Sequence, residues 1–156
     1  MGGISGARWQ LDDQLHLTLR FIGEVDRHLA EDVHAALGGL HHPSFALTLN
    51  GIGCFDRRGF PDSVWAGVTP HEEVKTFQNK VDTALRRVGL PPDERAFLPH
   101  ITIARMSRSA GPIGALLEEA GGLSSPSFTV DSFALFESDL THEAAVYSVV
   151  ERYPLG

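Results

Sequence analysis

Residues 11–25 read LDDQLHLTLRFIGEV, with Leu15, Leu17, Leu19 and Phe21 on one parity and His16, Thr18 and Arg20 on the other. This period-2 alternation predicts a half-buried strand with its aliphatic side inward. The decisive part is the central His16-Leu17-Thr18-Leu19, because 84 positions later the chain repeats it as His100-Ile101-Thr102-Ile103. With eight histidines and eight threonines in 156 residues, chance supplies about 0.4 His-x-Thr triplets, and fewer than ~0.05 once both flanking positions must be aliphatic. Each motif sets an imidazole and a hydroxyl two residues apart, hence on one strand face, with aliphatic neighbours anchoring the other face.

Outward from the motifs, a helix is predicted from an Asp26 N-cap through Leu29, Val33, Leu37 and Leu40. Phe45 to Cys54 reads as a strand, FDRRGFPD (55–62) as a turn-rich loop and SVWAGV (63–68) as another strand. Thr69-Pro70-His71-Glu72 has the form of a capping box with Pro at N1. Val74, Phe77, Val81, Leu85 and Val88 then form one helical face ending at Gly89. The strand LPHITIARM (98–106), a helix at 113–120 and strands over 127–137 and 145–153 complete the order. Short turns between strands, mixed with helices, indicate an α+β domain with antiparallel pairing. Each motif is followed by a helical segment and a Phe-led strand, which suggests one domain over 1–156 built of two pseudo-repeated lobes.

Length supports one domain, since a chain near 150 residues buries roughly 68–70% of its unfolded surface. The formal charge of −7 argues against a broad surface for long nucleic acid, but not against a local anion pocket. The lone Cys54 suits a reducing compartment, and no apolar run nears the ~20 residues of a membrane span, so a cytoplasmic protein is expected.

Two imidazoles on opposite walls of a cleft can act as general base and general acid in one step. The Thr18 and Thr102 hydroxyls can donate to oxygens that gather negative charge. In-line displacement at phosphorus uses this set, so a phosphodiester is the expected substrate and no cofactor or metal is called for. A metal site is the competing reading of a His-rich chain, but His16 and His100 lack a third ligand at metal-motif spacing. His41-His42 precedes Pro43 in an expected loop, and His28, His34, His71 and His142 are read as solvated. Phe21, Trp65, Phe77 and Phe133 are read as core. Arg57 and Arg58 fall in the expected loop, within reach of RNA.

The two motifs, with HLTLRFIGEV, GIGCF…VWAGV, LPHITIAR and FALFES…VYSVVERYPL, resemble the RNA 2',3'-cyclic phosphodiesterase family, also called 2'-5' RNA ligases, of the two-histidine phosphoesterase superfamily. The resemblance implies a bilobal, pseudo-symmetric fold of two antiparallel sheets flanked by helices around a central cleft. It implies hydrolysis of 2',3'-cyclic phosphates at RNA or nucleotide ends to 2'-phosphomonoesters, with weak 2'-5' ligation in reverse. By the same resemblance His16 protonates the leaving 3' oxygen, His100 activates water, and Thr18 and Thr102 hold phosphate oxygens with help from Arg105. Arg20, on the His16 parity, is a further phosphate ligand or an exposed strand arginine. The near-symmetric pair permits either acid–base assignment until the substrate's orientation is fixed. Family members place an extra strand and helix before the segment matching GARWQLDDQLHLTLRF, and here it starts within ten residues of Met1. An N-terminal strand and helix are therefore expected to be missing, leaving an unpaired edge in the first lobe. A monomer is expected. The competing functions are a catalytically impaired RNA-end or nucleotide binding module, and a phosphodiesterase for another cyclic or 2'-5' linked substrate.

Overall fold

Val64, Ala66 and Val68 alternate along a strand whose other parity carries Ser63, Trp65 and Gly67, and all three aliphatic residues are at most 2% exposed. Burying a valine contributes about 1.5–3 kcal/mol, so this row anchors the sheet that holds the second motif. The computed structural model describes residues 7–11, 14–107, 114–140 and 145–156. Asp12, Asp13, residue 113 of an expected helix and His142 lie outside them. The elements are β1 (Ala7–Trp9), α1 (Arg27–Gly38), β2 (Phe45–Arg57), β3 (Phe60–Thr69), α2 (His71–Arg87), β4 (His100–Met106), α3 (Gly114–Ala120), β5 (Phe128–Val130), β6 (Ser132–Leu140) and β7 (Ala145–Pro154). This is an α+β chain with antiparallel strand pairing. Among the described residues no helix is long and apolar enough to cross a membrane.

The chain divides into two compact units. The first comprises Met1–Thr18, Leu47–Pro70 and Pro99–Ser127, and holds both His-x-Thr motifs. Its sheet runs β1-β4-β3-β2, every pair antiparallel. Val64, Ala104 and Met106 form a buried cluster beneath it, with Trp9, Ile52, Cys54, Ile103 and Leu117 packed against them. The 55–62 segment, expected to be a loop, is instead the end of a hairpin: β2 runs to Arg57, β3 starts at Phe60, and Arg58-Gly59 makes the turn. Positive φ at both turn residues, 54° and 81°, is the type I' geometry whose twist matches that of paired strands. Thr69 does not cap the next helix. Its hydroxyl lies 3.0 Å from that of Thr48 across the β2–β3 pair, and α2 starts at His71.

The second unit comprises Leu19–Ala46, His71–Leu98 and Phe128–Gly156. Asp26 caps α1 by accepting from the Leu29 N–H at 2.8 Å. α1 lies against α2, which buries Val74, Phe77, Val81 and Leu85 at helical spacing. The ribbon of β6 and β7 adds Phe133 and Tyr153, stacked at 4.9 Å, with Phe133 edge-on to Phe77 at 5.1 Å.

The first expected strand does not form over 11–25. Among the described residues of that segment only Leu17 makes a bridge, to Ile101, and the parity fails on both sides of it, Leu15, expected inward, being 43% exposed. The Arg20 side chain is 6% exposed while Phe21, expected in the core, is 62% exposed. The reason is an inward hold on Arg20: its guanidinium bonds Asp82 and two backbone carbonyls, so the next residue turns outward. His42, expected to be solvated, packs between Phe45 and Phe77 with Nδ1 buried and without a partner among the described residues.

Candidate active site

β4 presents two different partners along one edge. Ala7, Arg8 and Trp9 pair with Met106, Arg105 and Ala104; the Gln10 N–H then donates to the Ile103 carbonyl at 2.9 Å, and Leu17 bridges to Ile101. The bridge brings Leu17, the centre of the first motif, against Ile101, the centre of the second. His16 and Thr18 flank Leu17 and are both exposed. His100 and Thr102, two apart on β4, share the face opposite Ile101.

Arg105 reaches this face through an irregularity. Trp65 pairs with Thr102 but Val64 pairs with Ala104, so Ile103 is an extra residue, a β-bulge. Beyond the bulge Arg105 pairs with Ser63 on one side and Arg8 on the other. Ser63 and Trp65 are two residues apart, so Arg105 lands on the face of Thr102 despite its odd spacing from it. Its side chain is exposed.

His16 Nδ1 lies 2.7 Å from the Gln14 carbonyl oxygen. A carbonyl only accepts, so Nδ1 carries a proton there and Nε2 is the nitrogen left to exchange one. His100 opens β4 directly after the buried Pro99. Phe55 meets its ring edge-on at 5.0 Å (88°), and Trp65 lies at 5.9 Å (60°). Sequence pattern assigns neither aromatic to the site, since Trp65 reads as core and Phe55 as loop. The available signal is the glycine pattern of GIGCF. A Cβ at Gly53 would lie 2.5 Å from Trp65 Cζ2, and one at Gly67 would lie 2.6 Å from the Asn50 carbonyl oxygen, so both positions need the missing side chain.

Arg20 is placed differently from the other sequence-selected residues. It belongs to the second unit, where Nε donates to Asp82 Oδ1 at 2.9 Å, Nη1 to the Phe21 carbonyl and Nη2 to the Pro91 carbonyl. Among the described residues no group of three or more His, Cys, Asp or Glu is placed to hold a metal ion.

A model of the 2'-5' RNA ligase superfamily matches residues 7–142 of this chain. The RNA 2',3'-cyclic phosphodiesterase of Aeropyrum pernix is 33% identical over 142 residues, which cover 89% of this chain and 81% of that protein. The Escherichia coli protein of the same name is 30% identical over 144 residues, covering 92% and 77%. Among solved structures, E. coli LigT complexed with 3'-AMP superimposes with a TM-score of 0.76 at 27% identity, over 96% of this chain and 82% of that one. TT0787 of Thermus thermophilus gives 0.79 at 25% identity, over 96% and 82%.

Proposed function

Because this chain belongs to the 2'-5' RNA ligase superfamily, we propose that it hydrolyses 2',3'-cyclic phosphates at RNA or nucleotide ends to 2'-phosphomonoesters, using His16 and His100 and no metal. The observation that carries the reading is the Leu17–Ile101 bridge, which brings the centres of the two His-x-Thr motifs side by side.

In the proposed reaction His100 takes a proton from water as its oxygen forms a bond to phosphorus. The P–O3' bond breaks on the opposite side, and His16 Nε2 gives its proton to the departing 3' oxygen. The phosphate stays on the 2' oxygen, and a proton exchange with solvent resets the pair. The Gln14 carbonyl, 2.7 Å from His16 Nδ1, fixes the tautomer and aims Nε2. Thr18 and Thr102 donate to the non-bridging oxygens, whose charge grows in the transition state. Arg105 supplies a fixed positive charge beside them. Arg20 is left out of these contacts because its fork is engaged by Asp82, Phe21 and Pro91. With the 5'-hydroxyl of a second RNA end attacking phosphorus in place of water, the same proton transfers break the P–O3' bond and join the ends through a 2'-5' bond, as a weak side activity. We place the enzyme in the cytosol, as a monomer.

The test is turnover of a 2',3'-cyclic mononucleotide in EDTA. His16→Ala and His100→Ala should each lower kcat by about 10²- to 10⁴-fold, with folding checked by circular dichroism. Retention of most activity by either variant refutes the assignment. Tight binding of the nucleotide by the wild type without turnover identifies a binding module instead.

A further inference from the structure

The β2–β3 hairpin carries features the proposed catalytic site does not use. Its turn residue Arg58 has φ 54°, in the left-handed region where a residue with a Cβ costs about 1–2 kcal/mol and glycine or asparagine is preferred. Strand parity puts Arg57 and its partner Phe60 on the face of Phe55, the residue whose ring meets His100. Phe60 is 52% exposed. A cavity of about 250 Å³ at this end of the hairpin is lined by Arg57, Arg58, Phe60, Pro61, Asp62 and Met106.

Charge is unevenly divided between the two units. The first has five arginines, no lysine and six acidic residues; the second has eight basic and fourteen acidic residues. The net charge of −7 is therefore borne almost wholly by the second unit. Every cation of the first is the type whose planar fork pairs with phosphate and stacks on bases.

We propose that the hairpin binds the single-stranded RNA segment on the 5' side of the cyclic phosphate, with Arg57 and Arg58 on backbone phosphates and Phe60 beneath a base. The proposal rests on the cyclic phosphodiesterase reading, because a strand closed at its 3' end can leave the proposed catalytic site only in the 5' direction. From Gly53, opposite Trp65, to Arg57 is four residues of β2, about 13 Å at the strand rise. The hairpin is thus a track that begins at His100 and ends in two cations.

The experiment compares wild type with Arg57→Ala/Arg58→Asn on two probes: a 2',3'-cyclic mononucleotide, and a short 5'-labelled single-stranded RNA ending in the cyclic phosphate. Affinity for the RNA is read by fluorescence anisotropy across a salt series. The double variant should bind RNA at least about tenfold more weakly, with a log–log salt slope shallower by about 1.4, from about 0.7 per lost phosphate contact. Its kcat/KM on the mononucleotide should stay within about twofold. Arg58→Asn alone should keep or raise Tm, since asparagine suits the left-handed position, which separates loss of binding from loss of fold. Unchanged RNA affinity and salt slope overturn the hairpin track, as does a parallel loss on the mononucleotide. A wild type that hydrolyses neither probe, yet binds RNA through these arginines, overturns the proposed hydrolysis and leaves the track standing.

Discussion

Replacing Gly53 by alanine puts a methyl group where the indole of Trp65 already lies. The new carbon would stand 2.5, 2.6 and 3.1 Å from Cζ2, Cη2 and Cε2 of that ring, whereas carbon atoms rest at about 3.5–4.0 Å. The indole must retreat by about 1 Å. It touches Phe55 at 5.3 Å and His100 at 5.9 Å between ring centroids, so the displacement passes to the imidazole. Overpacking of this kind costs about 1–3 kcal/mol. At roughly 2–4 °C per kcal/mol for a chain of this length, Tm should fall by about 2–12 °C. A 1 Å misplacement of a reacting group lowers turnover by up to about 10²-fold, so kcat on a cyclic mononucleotide should drop by about 10- to 100-fold below the transition. Trp65→Phe in the Gly53→Ala background removes the clashing atoms and should recover part of the lost stability, a coupling that a double-mutant cycle measures. If Gly53→Ala keeps full kcat and a Tm within about 1 °C, the aromatic support of His100 is refuted.

Two further perturbations concern the second unit. Arg20→Met should lower Tm by about 4–16 °C, since removing one partner of a buried ion pair costs several kcal/mol, while KM for the cyclic phosphate stays within about twofold; a tenfold rise in KM at unchanged Tm would make Arg20 a phosphate ligand. Burial, reinforced by the Lys80 ammonium and opposed by Glu73, holds the His42 pKa below its ordinary 6.5. The unfolded chain then binds the extra proton more readily, so stability is full above pH 6.5 and falls as pH drops through the folded value. Denaturant titrations between pH 7.5 and pH 5 should show His42→Phe losing less stability on acidification than wild type, and an equal loss in both would sink this account.

Part of the second motif's placement was legible because a period of two is local: His100 and Thr102 share a face of β4. Several helices and strands were equally legible, from Asp26 capping α1 to the apolar row of α2. What local pattern could not carry was partnership. The sequence suggested two lobes facing one another across a cleft. The structure sets both His-x-Thr triplets in one unit, with Leu17 bridged to Ile101 on the edge of β4 that β1 also pairs. Arg20 and Phe21 exchanged inward and outward roles because a salt bridge 62 positions away outweighed alternation. Phe55 was hidden inside a segment whose Gly, Pro and Asp content reads as loop, although only Arg58 and Gly59 turn.

A β-strand has a reading frame of two, and Ile103 is a one-residue insertion within it. Upstream of it the even positions His100 and Thr102 lie on one face of β4; downstream the odd position Arg105 takes that face. Deleting this one residue would leave every polar residue of the motif in the sequence, yet send the guanidinium toward the buried cluster of Val64 and Met106. Spacing is therefore part of the code of the proposed site. A histidine, a threonine two positions on and an arginine three beyond that specify a common face only if the strand between them miscounts once.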